Sequence, residues 1–181
     1  MITGVILNWK RPANVQRIVE GWLAGGLVTE AIVWNNNASE PLGPIAGAKI
    51  INAGQDLGLY TRFAAACLAQ HECILLQDDD LELPSASLAA LHTAWQADPA
   101  VLHGVFGRAS RPDGSYARPV QGDMHVPIVL TRVLLADRRY AARFFDVAAR
   151  FASIQQEALP EGNGEDILFS YTVRRDSGRL N

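Results

Sequence analysis

The sequence predicts an α/β fold, a single domain with a mostly parallel central sheet flanked by helices on both faces. Three observations predict it. Short, nearly continuous apolar runs recur, as strands buried on both faces require. Segments with apolar residues at helical spacing lie between them. Strands that alternate with helices in this way build parallel sheets. With 181 residues the chain is long enough for one such domain and short for two. Its 49% apolar and 19% charged content is that of a folded protein. The formal net charge of −3 lacks the basic excess of a general nucleic-acid binder.

Taken in order, "GVILNW" (Gly4–Trp9) is the first strand. Pro12 suits the first turn of a helix, and Val15, Ile18, Val19, Trp22 and Leu23 give that helix one apolar face. "AIVWNNN" (Ala31–Asn37) and "AKIINAG" (Ala48–Gly54) are the second and third strands. Gly58 precedes a helical stretch with Leu59, Phe63, Ala66 and Cys67 on one face. "CILLQ" is the fourth strand. Ser85 is placed to cap a helix carrying Leu88, Leu91 and Trp95. "VLHGVF" and "HVPIVLT" read as further strands around a turn-rich stretch, Arg108–Asp123, that is a loop or a small hairpin. A helix with Tyr140, Phe144, Ala148 and Phe151 on one side follows. After the loop Pro160–Glu165, the last helix opens at Glu165 and buries Ile167, Leu168 and Tyr171.

In parallel sheets ligands bind at the carboxyl ends of the strands. Asn8, Asn35 and the run Asp78-Asp79-Asp80 all fall there. A carboxylate on a strand end can hold a hard divalent cation such as Mn²⁺ or Mg²⁺, with water and substrate phosphates as the other ligands. If the segment stays extended, Asp78 and Asp80 point one way and Asp79 the other, which puts Asp80, with Asp78, on the metal face. The bland alternative is a solvated acidic turn ahead of a helix N-terminus. An Asp-based phosphoryl-transfer hydrolase is a second alternative, although Glu82 stands where such enzymes carry a Thr. No Gly-rich lysine loop that cradles phosphates is present in the sequence.

"VILNWKRP", "AIVWNNN", "ILLQDDDLELP" and "GNGEDILFSYTV" together resemble, in order and spacing, the glycosyltransferases of the GT-A (Rossmann-like) fold, and within them the exostosin-like family. The inverting GT-A sugar transferases share the first half of the pattern. The resemblance spans nearly the whole chain and implies a nucleotide-binding half (1–84) and an acceptor-side half (85–181). It implies metal-dependent sugar transfer from a nucleotide-sugar donor, a UDP-sugar, to a hydroxyl of a carbohydrate or other acceptor, with retention. By position, Asn8, Arg11, Asn35, Arg62, Asp78 and Asp79 match nucleotide-binding residues. Asp80 matches the ligand of Mn²⁺ or Mg²⁺, and the acidic pair Glu165 and Asp166 matches the catalytic position. Leu57 stands where the family has a polar group, and family enzymes continue past the final helix, so a binding-only relic of the fold is a third reading.

Plain structural roles exist for the same residues. Arg11 and Arg62 fit surface cations, Asn35–Asn37 a turn, Glu165 and Asp166 a helix dipole, and His125 a strand edge. Trp9 and Trp34 read as core. Cys67 and Cys73 read as buried thiols of a reducing compartment. No apolar run has signal or membrane length, which leads to the expectation of a cytoplasmic chain.

Overall fold

The strand pattern of the sequence becomes a six-stranded sheet in the computed structural model, which describes residues 1–111, 116–158 and 164–181. The chain runs β1 (Ile2–Asn8), α1 (Pro12–Ala24), β2 (Val28–Asn35), β3 (Ala48–Asn52), α2 (Thr61–Cys67) and β4 (Cys73–Gln77). It continues through α3 (Ser85–Ala97), β5 (His103–Gly104), β6 (Gly107–Ser110), β7 (Tyr116–Pro119), β8 (Ile128–Val129), β9 (Val133–Asp137), α4 (Arg139–Ala158) and α5 (Glu165–Ser177). The sheet order is β3-β2-β1-β4-β9-β5. The first four strands are mutually parallel, and β9 runs antiparallel to both β4 and β5. A second, antiparallel sheet has the order β7-β6-β8.

Because side chains alternate across a strand, each strand feeds two cores. Val5, Ile32, Ile74, Leu76 and Leu134 meet Phe63 of α2, Phe144 of α4 and Phe169 of α5. Ile6, Val33, Leu75 and Leu135 meet Val15, Val19 and Trp22 of α1 and Leu88 of α3. The continuous apolar runs are thus explained, since neither face of the central strands reaches water. Phe63 and Phe144 stack with ring centroids 3.9 Å apart, which pins α2 to α4.

Several expectations change. "VLHGVF" is not one strand. Only His103–Gly104 pairs with β9, and the chain has joined the other sheet by Gly107. Gly104 marks the crossing, because a Cβ there would lie 2.9 Å from the Val133 carbonyl oxygen. "HVPIVLT" contributes only the two-residue β8, and the strand that fills the sheet is Val133–Asp137, a segment the sequence pattern did not mark as a strand. Within the turn-rich stretch β6 and β7 pair antiparallel, and residues 112–115 between them lie outside the described residues. Part of the loop expected at 160–165 also lies outside them, and Glu165 is already the first residue of α5. That helix buries Leu168, Phe169, Thr172 and Val173, while Ile167 and Tyr171 are exposed. Pro84, not Ser85, occupies the N-cap of α3, without a side-chain cap. Cys67 ends α2 at the surface, whereas Cys73 is buried and its thiol is pushed up to about 12 by burial.

At the amino ends of the parallel strands, a single buried carboxylate ties four segments together. Glu30 of β2 accepts from Thr3 Oγ1 of β1 at 2.6 Å, from the Gln70 backbone N–H at 2.7 Å, and from Lys49 of β3. Burial alone would raise its pKa, but the bonds from Lys49, Thr3 and Gln70 outweigh it and hold the group below its ordinary value. A depressed folded pKa gives stability that is complete above the unfolded value, near 4.5, and is lost as pH falls through the folded value. Glu30→Gln should therefore cost about 1–2 kcal/mol at pH 7. Urea unfolding at pH 7 and pH 3.5 should show the gap between wild type and variant narrowing in acid; a constant gap would contradict this account.

Candidate active site

Three neighbouring parallel strands end on the same edge of the sheet: β2 at Asn35, β1 at Asn8 and β4 at Gln77. Beyond these ends lies a cavity of about 410 Å³. Five carboxylates (Asp56, Asp78, Asp79, Asp80 and Glu165) and two guanidinium groups (Arg11 and Arg62) line it, with Asn8, Asn36 and Trp9 among its walls. A cavity of about 440 Å³ beside the second sheet is larger, but its lining is mainly apolar. His125 belongs to that one, away from the aspartates.

The asparagines build the floor. Asn8 Nδ2 donates to Asn35 Oδ1 at 2.7 Å, and Asn35 Nδ2 donates to Asn52 Oδ1 at 2.9 Å. Asn35 also donates to the carbonyls of Asn37 and Glu40, so its amide is fully engaged. It is wholly buried and does not line the cavity. Its neighbour Asn36 does. Asn36 Nδ2 donates to the Gly58 carbonyl and to Thr61 Oγ1, and Asn36 Oδ1 accepts from Trp34 Nε1 and the Leu57 N–H. One side chain thereby clamps the loop before α2 against the end of β2. Gly58 sits at φ +75°, a conformation that glycine adopts without strain, and this turns the loop back over the cavity.

The aspartates do not alternate as an extended strand would dictate. β4 ends at Gln77, and the Asp78 N–H is taken by the Arg132 carbonyl at 2.9 Å. The chain then turns, and all three carboxylates face the one cavity. Each has its own arginine. Arg62 Nη1 lies 3.1 Å from Asp78 Oδ1, Arg11 Nη1 lies 2.7 Å from Asp79 Oδ1, and Arg132 Nη2 lies 3.5 Å from Asp80 Oδ1. Asp80 is the most open of the three, with its side chain 41% exposed.

Arg62 is 5% exposed. Besides Asp78 it donates to the carbonyls of Leu59 and Thr131, and its Nη2 lies 4.0 Å from Glu165 Oε1. Glu165 accepts from Thr131 Oγ1 at 2.9 Å. Burial raises the pKa of Glu165 above its ordinary value, and the Asp166 charge adds to this, while Arg62 and Thr131 oppose. Gly164, at φ +90°, starts α5 so that Glu165 faces the cavity. Asp166 is half-buried beside it, with Oδ1 accepting from the Ile167 N–H, and does not line the cavity. Trp9, expected in the core, is 44% exposed on the cavity wall, because β1 ends one residue before it.

Trp9, Asn36, Asp56, Thr131 and Arg132 are residues of the site that the sequence did not mark as such. Asn36 lay within a quoted motif; Thr131 and Arg132 carried no local signal. Among the described residues, no group of three or more His, Cys, Asp or Glu could hold a metal by itself. The donors present suit a hard cation that takes one carboxylate, Asp80, and completes its shell with water and ligand oxygens.

The fold, a mixed α/β sheet whose parallel strands end at one edge, is similar to that of GT-A glycosyltransferases. Residues 2–179 match the model of the glycosyl transferase family 64 domain, and the chain belongs to that glycosyltransferase family. Among solved structures it is similar to a crystal structure of GalNAc-T7 with UDP, GalNAc and Mn²⁺, with a TM-score of 0.65 and 11% identity. That likeness, which concerns the fold, covers 96% of this chain and 40% of the other. No curated protein matches. No described helix is long and apolar enough to cross a membrane.

Arg62 is the most buried charge of the site, and its removal leaves two acids facing each other. Arg62→Met should cost about 3–5 kcal/mol in urea unfolding at pH 7. Adding Glu165→Gln to that variant should recover part of the loss, because one uncompensated charge is gone. Strict additivity of the two changes would show that Arg62 and Glu165 do not act on each other.

Proposed function

We propose that this domain transfers a sugar from a nucleotide-sugar donor, a UDP-sugar, to an acceptor hydroxyl, with a divalent cation and with retention, as in exostosin-like enzymes. One observation carries the reading. The three aspartates follow β4 at the carboxyl edge of the parallel strands, each paired with an arginine, and Asp80, the most open of the three, has the longest of these pairs.

In this reading residues 1–84 bind the nucleotide and 85–181 form the acceptor side. Asp78 and Asp79, held by Arg62 and Arg11, present their remaining oxygens to the ribose hydroxyls. Asn8 and Asn36 line the floor, and Asn35 acts behind them by fixing Asn8. Trp9 offers a flat apolar wall against which a base can lie. Asp80 would hold Mn²⁺ or Mg²⁺, which when bound supplies Lewis-acid stabilisation of the leaving diphosphate. Glu165 faces the cavity from the acceptor side, where a carboxylate stabilises the positive charge that develops at the anomeric carbon. Asp166 adds its charge next to Glu165.

Isothermal titration of the wild-type chain with UDP in the presence of Mn²⁺ should show saturable binding that chelation abolishes. Asp80→Ala should weaken it about tenfold or more, a loss of about 1.4 kcal/mol. Absence of UDP binding, or equal binding by Asp80→Ala, would sink the reading.

A further inference from the structure

Two of the three arginines at the aspartate run have settled positions. Arg62 is buried and multiply bonded, and Arg11 makes a short bond to an Asp79 that is only 12% exposed. Arg132 differs. It stands in the turn between β8 and β9, and the bond from the Asp78 N–H to its carbonyl fixes that turn against the aspartates. Its guanidinium carbon lies 4.9 Å from the centroid of the Phe106 ring, and its Nη2 is 3.5 Å from Asp80 Oδ1. This is the longest of the three arginine–aspartate pairs, and both of its side chains are more than two-fifths exposed.

We propose that Arg132 is an exchangeable counter-ion at Asp80. It holds the place of the divalent cation and gives up the carboxylate when metal and diphosphate arrive together. The proposal rests on the reading of Asp80 as the metal ligand. Three guanidinium groups pair the three aspartates while Asp56 and Glu165 leave the cavity net negative, so what weakens a lone dication at Asp80 is competition with the Arg132 ion pair. A dication must break the Arg132 pair and then sit beside a displaced positive charge. A nucleoside diphosphate that comes with the cation removes both obstacles. Asp80 would then be released to the cation, and the negative charge of the diphosphate would give the Arg132 guanidinium a new partner. The Phe106 ring offers the Arg132 guanidinium a face against which it can change partner. Arg132 is therefore a positioning residue that couples metal binding to donor binding.

The test compares Arg132→Gln, the charge-retaining Arg132→Lys, Asp80→Asn and the double variant Asp80→Asn/Arg132→Gln, titrated with Mn²⁺ alone and with UDP at saturating Mn²⁺. Arg132→Gln should bind Mn²⁺ alone roughly three- to tenfold more tightly than wild type, the range expected for a solvated ion pair and one nearby charge. It should bind UDP in Mn²⁺ roughly three- to tenfold more weakly. Arg132→Lys should stay within about twofold of wild type for Mn²⁺ alone. The gain in Mn²⁺ affinity should vanish in the Asp80→Asn background. A purely structural role would weaken both ligands together. Unchanged or weaker Mn²⁺ binding by Arg132→Gln overturns the proposal, as does a gain that persists without the Asp80 charge. Failure of UDP to bind any variant, with the Mn²⁺ gain still present, would refute the UDP reading while supporting the exchange at Asp80.

Discussion

A buried arginine makes this site possible. Consecutive carboxylates at the end of a sheet repel each other, and at an effective dielectric of about 20 two charges 4 Å apart interact by about 4 kcal/mol. Arg62 answers that repulsion from below. It is delivered by α2, whose position is set by Phe63 stacking on Phe144 of α4. Its donors reach Asp78 after β4, the Thr131 carbonyl before β9, and the neighbourhood of Glu165 at the start of α5. Segments from both halves of the chain thus meet on one guanidinium. Its planar fork of five donors suits this in a way that a lysine ammonium would not.

The two ends of the parallel sheet solve opposite problems. At the amino ends Glu30 is enclosed by donors, and its charge ties β1, β2, β3 and the segment leading into β4 together. At the carboxyl ends the strands must stop while leaving polar groups for a ligand. Asparagines do this, because an amide both donates and accepts. Asn35 uses its amide to finish the strand ends, and Asn36 uses its own to hold the loop before α2. The burial of these amides is tolerable because they are hydrogen-bonded.

The central parallel strands were legible because strands buried on both faces need unbroken apolar runs, a signal independent of context. The fold class followed from them. β9 was not legible. "IVLTRVLLAD" reads as one apolar stretch with a polar interruption, and the interruption, Thr131 and Arg132, is the turn between two sheets. Which sheet an antiparallel segment joins depends on its partners. The buried face of α5 failed for a related reason, because Ile167 and Tyr171 make as plausible a stripe as Leu168 and Phe169 do. Within the site, the motifs marked the aspartates, Arg62 and Glu165. Alternation along the strand misplaced Asp79, since the strand ends at Gln77. The ion pairs carried no local signal, because Arg11 lies 68 residues from Asp79 in sequence.

Those ion pairs bear on the kind of ligand the site can take. A phosphate site built from backbone N–H groups at a loop offers donors with no prior partner. Here the guanidinium groups at the cavity are already committed to carboxylates, and five carboxylates line it. A bare diphosphate entering this space would meet net repulsion. A diphosphate that carries its own dication would meet an open carboxylate at Asp80 and leave the buried pair at Arg62 untouched. Under the proposed function, this charge arrangement favours a metal-linked anion over a free one. That selection needs the pair at Asp80 to be weaker than the pair at Arg62, and the two differ in the required direction: one is solvated at 3.5 Å, the other buried at 3.1 Å.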